Sequence, residues 1–394
     1  MFEVILITVT ATLFVGVVVL FIQVLMAVIA TDEPLQEIRK QNPKVTVLVP
    51  AHNEELVISA TISSIKQQLG DTGHLIVIAD NCTDNTAQIV RDMDVELLER
   101  VNLDARGKGY ALDYGVRHIS QAGALPDVLI IIDADCLIDD GALSKIAEKC
   151  VQMNRPVQAL YLMHSKGVVS LKQKIAEFAW LVKNLVRPLG ALRLGFPCQI
   201  MGTGMAFPWK LLKDVNLAND NIVEDMKLGI DFTLLGYPPV FFPDAKVTSF
   251  FPENTEGVNS QRTRWEHGHL SMILKEGPGL LFEGLKKWNF PMISLAIDLM
   301  IPPLALLALI LILLPIIAAL SFIWSGSLSA FVWSSFILCL FVISILLAWF
   351  HFGRSILTVK EMLSIPMYIF SKLPLYFRFI TNRQKSWKRT SRDK

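Results

Sequence analysis

Two stretches of this chain carry no charged side chain, and they restrict its folding more than any other feature. Residues 4–30 form the first, 27 positions long, and residues 299–353 form the second. A helix needs about 20 apolar residues to cross a bilayer. The first stretch is therefore long enough for one span and the second for two. Ser325-Gly326-Ser327 offers a hairpin near the middle of the second, with helices at about 299–323 and 330–350. These segments explain a mean hydropathy of +0.45, too apolar for an ordinary soluble protein of 394 residues. Met1-Phe2-Glu3 lacks the positive start of a signal peptide and the run behind it is too long for one, so the first stretch reads as a signal anchor.

Lys and Arg set the orientation. Arg39, Lys40 and Lys44 follow the first span, and the tail from Arg383 through Arg389 to Lys394 is basic. Both flanks belong in the cytoplasm, which one span in and a hairpin out and back satisfies. Residues 361–380 are apolar but interrupted by Pro366, Lys372, Pro374 and Arg378. They read as an interfacial or re-entrant helix, because a fourth crossing would place the basic tail outside. The net charge of +1 implies no nucleic-acid partner. Cys82, Cys136, Cys150, Cys198 and Cys339 show no CxxC spacing, which suggests neither a zinc site nor a disulfide framework.

Between the spans, strands and helices alternate. Val45–Val49 is a strand stopped by Pro50, and residues 55–69 form a helix. Strands at 75–79 and 95–99 follow, with helices at 86–93 and 107–119. This is the pattern of an α/β domain with a mainly parallel, doubly wound sheet. The next run, Val128-Leu129-Ile130-Ile131-Ile132, is a strand buried on both faces and ends in Asp133-Ala134-Asp135. Two carboxylates two residues apart can share one hard cation such as Mg²⁺ or Mn²⁺. A plain turn is the competing reading for that pair alone. Three strand tips, however, carry polar residues: His52-Asn53-Glu54, Asp80-Asn81 and Asp133-Ala134-Asp135. Tips at one edge of a parallel sheet converge, and ligands bind there.

Lys108 lies between Gly107 and Gly109, as a phosphate ligand or as a solvated lysine at a helix start. Glu224-Asp225 open a helix, where a carboxylate facing an acceptor hydroxyl serves as general base. Residues 168–195 mix Lys172, Lys174, Lys183, Arg187 and Arg193 with Phe178 and Trp180, as a membrane-surface helix or an ordinary surface helix would. Gln261-Arg262-Thr263-Arg264-Trp265 offers a cation for a diphosphate and an indole for a sugar face, or else a basic-aromatic membrane anchor. His267 and His269, without a third ligand, read as structural.

The set Pro50-Ala51-His52-Asn53-Glu54, Asp80, Asp133-Ala134-Asp135, Glu224-Asp225 and Gln261–Trp265 resembles the family 2 membrane glycosyltransferases. These include the cellulose, hyaluronan and poly-N-acetylglucosamine synthases and the chitooligosaccharide synthase of rhizobia. The resemblance covers about residues 44–270 and implies a GT-A nucleotide-sugar-binding fold. It implies that Ala51, Asn53, Glu54, Asp80, Lys108, Asp133, Ala134 and Asp135 hold a UDP-sugar, with Asp133 and Asp135 on Mg²⁺ or Mn²⁺. It implies Asp225, with Glu224, as the catalytic base, and Gly202, Gln261, Arg262, Arg264 and Trp265 around diphosphate and acceptor. Two departures stand out. Many members have two aspartates where this chain has Asp80-Asn81, and many have Thr where it has Val223.

The expected organisation is an anchor at 1–31, a cytoplasmic GT-A domain at 44–270, an interfacial connection at 271–298, a transmembrane hairpin at 299–353, and an interfacial helix and basic tail at 354–394. The implied activity is inverting transfer from a UDP-sugar to a growing polysaccharide or oligosaccharide in the cell membrane. A single transfer to a lipid acceptor is the alternative. A transporter is disfavoured, because the spans carry almost no ionisable residue. The sequence leaves the sugar and the oligomeric state open.

Overall fold

The computed structural model describes residues 2–29, 42–70, 73–123, 125–167, 169–213, 215–218, 221–252 and 255–381. Arg39, Lys40 and the basic tail at Arg383, Arg389 and Lys394, on which the orientation argument drew, lie outside them. In chain order, α1 (Phe2–Ile29) precedes β1 (Val45–Ala51), α2 (Ile58–Lys66), β2 (Gly73–Asp80) and α3 (Thr86–Asp92). Then come β3 (Glu96–Arg100), α4 (Lys108–Ala122), β4 (Val128–Ile131), β5 (Leu137–Ile138), α5 (Ala142–Met153) and β6 (Val157–His164). After α6 (Leu171–Leu181), a π-helical turn (Val182–Val186) leads into α7 (Arg187–Arg193). β7 (Met205–Pro208), α8 (Trp209–Leu212), α9 (Glu224–Leu234), β8 (Val240–Phe250) and α10 (Thr255–Lys275) follow. The chain continues with α11 (Gly277–Lys286), α12 (Phe290–Met300), α13 (Leu304–Ser325), α14 (Ser329–Ala348), a second π turn (Trp349–Gly353), α15 (Val359–Met362), α16 (Ile365–Phe370) and α17 (Leu373–Thr381).

The chain divides into two units. One holds the sheet, from residues 32–167 and 197–268. Its eight strands run in the order β3-β2-β1-β4-β7-β6-β8-β5. β3, β2, β1 and β4 are mutually parallel, as their alternation with helices requires, whereas β7 runs antiparallel to both β4 and β6. The apolar runs fill the core: Leu48, Ile76, Ile78, Leu129 and Ile131 are buried, and Phe207 stacks on Phe232 with centroids 5.3 Å apart. Gly115 of α4 has no room for a side chain, since a Cβ would sit 2.7 Å from Ile78 and 2.8 Å from Leu48. That close approach brings α4 down onto the sheet and fixes where its first residue, Lys108, stands. The expected helix at 55–69 begins only at Ile58, because Asn53 takes a left-handed φ of 56° and residues 55–57 form a turn.

The other unit is built on the apolar helices and comprises residues 1–31, 168–196 and 269–384. Among the described residues, three of its helices are long and apolar enough to cross a membrane: Glu3–Ile29, Leu304–Ile323 and Ser329–Gly353. Gly326, at φ 65°, caps α13 and makes the expected hairpin turn. Residues 361–380 form short helices, α16 and α17 among them, too short to span. Residues 168–196, expected within the sheet domain, pack with the apolar helices instead. The reason is local. Arg187 donates to the Asp298 carboxylate (2.8 Å) and backbone carbonyl (2.9 Å), and Gln23 of α1 donates to the same carboxylate at 2.8 Å. Gly190 lies against the backbone of Gln23. His269 is buried and donates from Nε2 to the Leu299 carbonyl at 2.9 Å. Burial, and then the nearby Lys183, press its pKa down to about 3, so it is a neutral structural histidine.

Candidate active site

The parallel strands deliver their ends to one edge of the sheet. Ala51 ends β1, Asp80 ends β2 and its register partner Arg100 ends β3. β4 stops at Ile131, and Ile132 still bonds to the Leu48 carbonyl before the chain turns. The Asp133 backbone N–H donates to Thr203 Oγ1 at 3.0 Å. That bond ties the acidic turn to the Gly202-Thr203-Gly204 segment.

A cluster of charge forms there. Lys108 Nζ donates to Asp133 Oδ1 and to the Gly202 carbonyl, each at 2.5 Å, and lies 4.0 Å from Glu224 Oε1. Gly202 has a φ of +91°, and a Cβ there would stand 3.2 Å from Asp225 Oδ2 and 3.9 Å from Lys108 Nζ. Lys108, Asp133, Gly202, Glu224 and Asp225 therefore surround one small volume. The first turn of α9 supplies the two acids, where carboxylates are stabilised by the helix N-terminus. Burial raises the Asp133 carboxyl, and Lys108 partly offsets this. Burial raises Glu224 to about 7, again against the pull of Lys108. Burial also works against charge on Lys108, but Asp133 and Glu224 outweigh it and hold the ammonium above its usual range.

Glu224 accordingly opposes folding at high pH. Its carboxyl ionises near 4.5 when unfolded and near 7 when folded, so its stabilising contribution is complete below pH 4.5 and lost as pH rises through 7. Glu224→Gln should raise the melting temperature above pH 7 by roughly 2–8 °C and leave it nearly unchanged below pH 5. Thermal melts across pH 4.5–8.5 measure this difference, and an equal shift at both ends would contradict the assignment.

Ligand atoms of Asp133, Asp135 and Cys136 lie within 4.8 Å of one another. Burial, then Asp135 and Asp133, push the Cys136 thiol well up, and it donates to Asp135 Oδ1 at 3.5 Å. A protonated thiol is no ligand for a hard cation. The two carboxylates are a donor set that fits Mg²⁺ or Mn²⁺.

The remaining expected residues fall elsewhere. Asn53 bridges two strand-tip loops: its Oδ1 accepts from the Thr83 backbone N–H at 2.6 Å and its Nδ2 donates to Thr83 Oγ1 at 3.1 Å. Glu54 donates its backbone N–H to Thr86 Oγ1 at 2.7 Å. Ala134 is buried, with its carbonyl accepting from Thr61 Oγ1 at 2.8 Å, so it holds α2 against the acidic turn. Gln261 is buried on α10, whereas Arg262, Arg264 and Trp265 are half-buried. Gln261, Arg264 and Trp265 share a helix face with Gly268 by their spacing. A Cβ on Gly268 would meet Val223 at 2.6 Å, so that face lies against the residue that opens α9. Val223, read from the sequence as a lost hydroxyl, is packing surface here. Arg100 and Thr203 escaped the sequence reading. Thr203 lies between Gly202 and Gly204, whereas Arg100 ends a strand that also carries Glu96 and Glu99 and reads as solvated.

The model of the glycosyltransferase like family 2 matches residues 43–268, which is 226 of 394 positions and takes in every strand and acid above. The chain belongs to that glycosyltransferase family. It is 27% identical over 241 residues to the poly-beta-1,6-N-acetyl-D-glucosamine synthase of Staphylococcus epidermidis, covering 59% of this chain and 56% of that one. It is also 27% identical over 255 residues to the probable glycosyltransferase YdaM of Bacillus subtilis, covering 61% and 58%. The chain thus spans little more than half the length of these relatives. A solved mannosyltransferase from Pyrobaculum calidifontis, in complex with GDP-Man and Mn2+, aligns over 96% of this chain and 97% of its own. Its TM-score is 0.56 at 17% identity, and it shares the GT-A fold. This family 2 glycosyltransferase is therefore an enzyme with a GT-A domain and three helices fit to span a membrane.

Proposed function

We propose that this family 2 enzyme is a membrane-embedded, metal-dependent, inverting transferase that moves a sugar from a UDP-sugar onto a growing polysaccharide or oligosaccharide. The observation that carries this reading is the meeting of Asp225, Gly202, Lys108 and Asp133 in one volume at the sheet edge. Asp225 Oδ2 takes the proton of an acceptor hydroxyl, and that oxygen attacks the anomeric carbon from the face opposite the nucleotide. The bond from that carbon to the diphosphate oxygen breaks, and the electron pair leaves with UDP, which inverts the centre. Lys108 and Arg264 offset the charge that grows on the diphosphate. Asp133 and Asp135 would hold the divalent ion, which supplies further charge neutralisation there when bound. Gly202, bare of a side chain, leaves space beside the base; Gln261, Arg262 and Trp265 bind the acceptor side, and Ala51, Asn53, Glu54, Asp80 and Ala134 frame the nucleotide.

The domain limits proposed from sequence, an anchor at 1–31, a transferase domain within 44–270, a connection at 271–298, a hairpin at 299–353 and an interfacial tail at 354–394, suit this role. The excursion at 168–196 is assigned to the membrane-facing part. The basic flanks support a transferase domain on the cytoplasmic side. Because the staphylococcal relative is a poly-beta-1,6-N-acetyl-D-glucosamine synthase, a polymer product and UDP-N-acetylglucosamine are the first to test. The purified protein, incubated with UDP-N-acetylglucosamine and Mn²⁺ with or without lipid, is expected to give a ladder of oligosaccharides. A single lipid-linked sugar would instead establish the second reading, transfer to a lipid acceptor.

A further inference from the structure

We infer that Gln158, wholly buried in β6, is a positioning residue of the transfer step. Its carboxamide clamps the segment 201–204, which sets Gly202 against Lys108 and Asp225. The inference rests on the proposed roles of Lys108, Asp133 and Asp225, and adds a residue that acts through the backbone. No local pattern marks it: Gln158 stands 43 positions before Met201 and 45 before Thr203.

The clamp acts where the strand ladder gives out. β6 and β7 pair at Val157 with Ala206 and at Gln158 with Met205, and the Ala159 N–H still reaches the Gly204 carbonyl at 2.8 Å. Just before β7, Gly202 and Gly204 take left-handed φ values of 91° and 63°. A chain bent twice in this way turns its peptide groups off the strand line, and buried backbone groups then need other partners. The Gln158 side chain supplies them. Its Oε1 accepts from the Met201 N–H at 2.8 Å. Its Nε2 donates to the Thr203 carbonyl at 2.8 Å and the Ala159 carbonyl at 2.9 Å, with the Gly204 carbonyl further off at 3.4 Å. Both ends of one amide are thus engaged, one on each side of Gly202.

The clamped segment carries the proposed reacting geometry. Gly202 offers its carbonyl to Lys108 Nζ at 2.5 Å, and a Cβ on it would stand 3.2 Å from Asp225 Oδ2. Thr203 is fully buried, and its Oγ1 accepts from the Asp133 N–H at 3.0 Å. A shift of the segment by about 1 Å displaces the space beside the base, and misplacement of that size can cost about 100-fold in rate. The strand tips proposed to frame the nucleotide are held by the β1, β2 and β4 ladders, so its binding should change little. Glutamate at 158 has the same shape, and burial among carbonyl oxygens favours its neutral acid. That acid has one O–H for Thr203 and one carbonyl for Met201. Methionine fills the space and offers neither.

Turnover of UDP-N-acetylglucosamine with Mn²⁺, and the calorimetric Kd for UDP, both on the full chain in detergent, test this. Gln158→Met should lower kcat about 100-fold and leave the Kd for UDP within about threefold of the wild type. Gln158→Glu should restore kcat to within about 10-fold of the wild type. Equal losses of kcat in the two variants would overturn the inference, because the bonds of the amide would then not matter. So would a Gln158→Met enzyme whose kcat stays within about twofold of the wild type, or whose affinity for UDP falls as far as its kcat. Each of these results leaves the transferase reading intact. A wild type that neither binds UDP nor releases it from the sugar nucleotide would overturn that reading and this inference with it. Hydrogen exchange on the unmutated protein guards against misfolded variants. The Met201 amide should exchange at least about 100-fold more slowly than in an open chain; exchange at the open-chain rate refutes the clamp.

Discussion

Asp225→Asn is expected to leave UDP binding within about twofold of the wild type while lowering turnover by roughly 10³-fold or more. The carboxamide has the shape of the carboxylate and can keep its place in the first turn of α9, beside Gly202. It cannot take a proton. In the proposed reading, nucleotide affinity rests on the strand tips at Asp80 and Asp133, whose side chains the change leaves in place. The loss should therefore appear in kcat and not in the calorimetric Kd for UDP. Release of UDP in the presence of acceptor measures the first, and a variant with wild-type turnover would remove Asp225 from the role of base.

The second large effect is structural and lies in the apolar unit. A Cβ on Gly190 would sit 1.8 Å from the Gln23 carbonyl oxygen, 2.5 Å from its carbon and 2.7 Å from its Cα. These are backbone atoms, so no side chain can swing aside. Gly190→Leu must separate α1 from α7, and that separation pulls Gln23 and Arg187 off Asp298. The Arg187–Asp298 pair is almost fully buried, with side-chain exposures of 5% and 13%. Breaking such a pair costs about 3–5 kcal/mol by itself, and overpacking adds about 1–3 kcal/mol. The variant should yield no monodisperse protein in detergent, and Gly190→Ala should melt at least about 5 °C below the wild type. A melting temperature within about 2 °C of the wild type would show that the helices are not in contact there.

Sequence and structure agree where a local pattern carries the information. The all-apolar β4 and the hairpin at Gly326 needed only runs of a few residues to be read. The acids at Asp133, Asp135, Glu224 and Asp225 stood out because each ends a strand or starts a helix. Lys108 was legible as a cation near the site, but its grip on Asp133 and Gly202 joins positions 25 and 94 apart and has no local signature. The place of residues 168–196 was hidden for the same reason. Arg187 reads as one more surface cation until Asp298, 111 positions away, supplies its partner. The bond from Thr61 to the Ala134 carbonyl, 73 positions apart, had no local signature either. Arg100 went unremarked because a charged residue in a strand usually faces water, whereas its side chain is buried against Asp80.

The grip of Lys108 on Asp133 also bears on how the proposed donor would load. Its ammonium stands among Asp133, Glu224 and Asp225 and offsets part of their negative charge. On the proposed reading, a sugar nucleotide with two phosphate charges, arriving with one divalent cation, would add no net charge to that cavity. Loading is then an exchange of partners at constant charge, in which the lysine turns from a protein carboxylate to a phosphate. Such an exchange depends little on ionic strength, and the same site can fill and empty at every turnover without an electrostatic trap at either end.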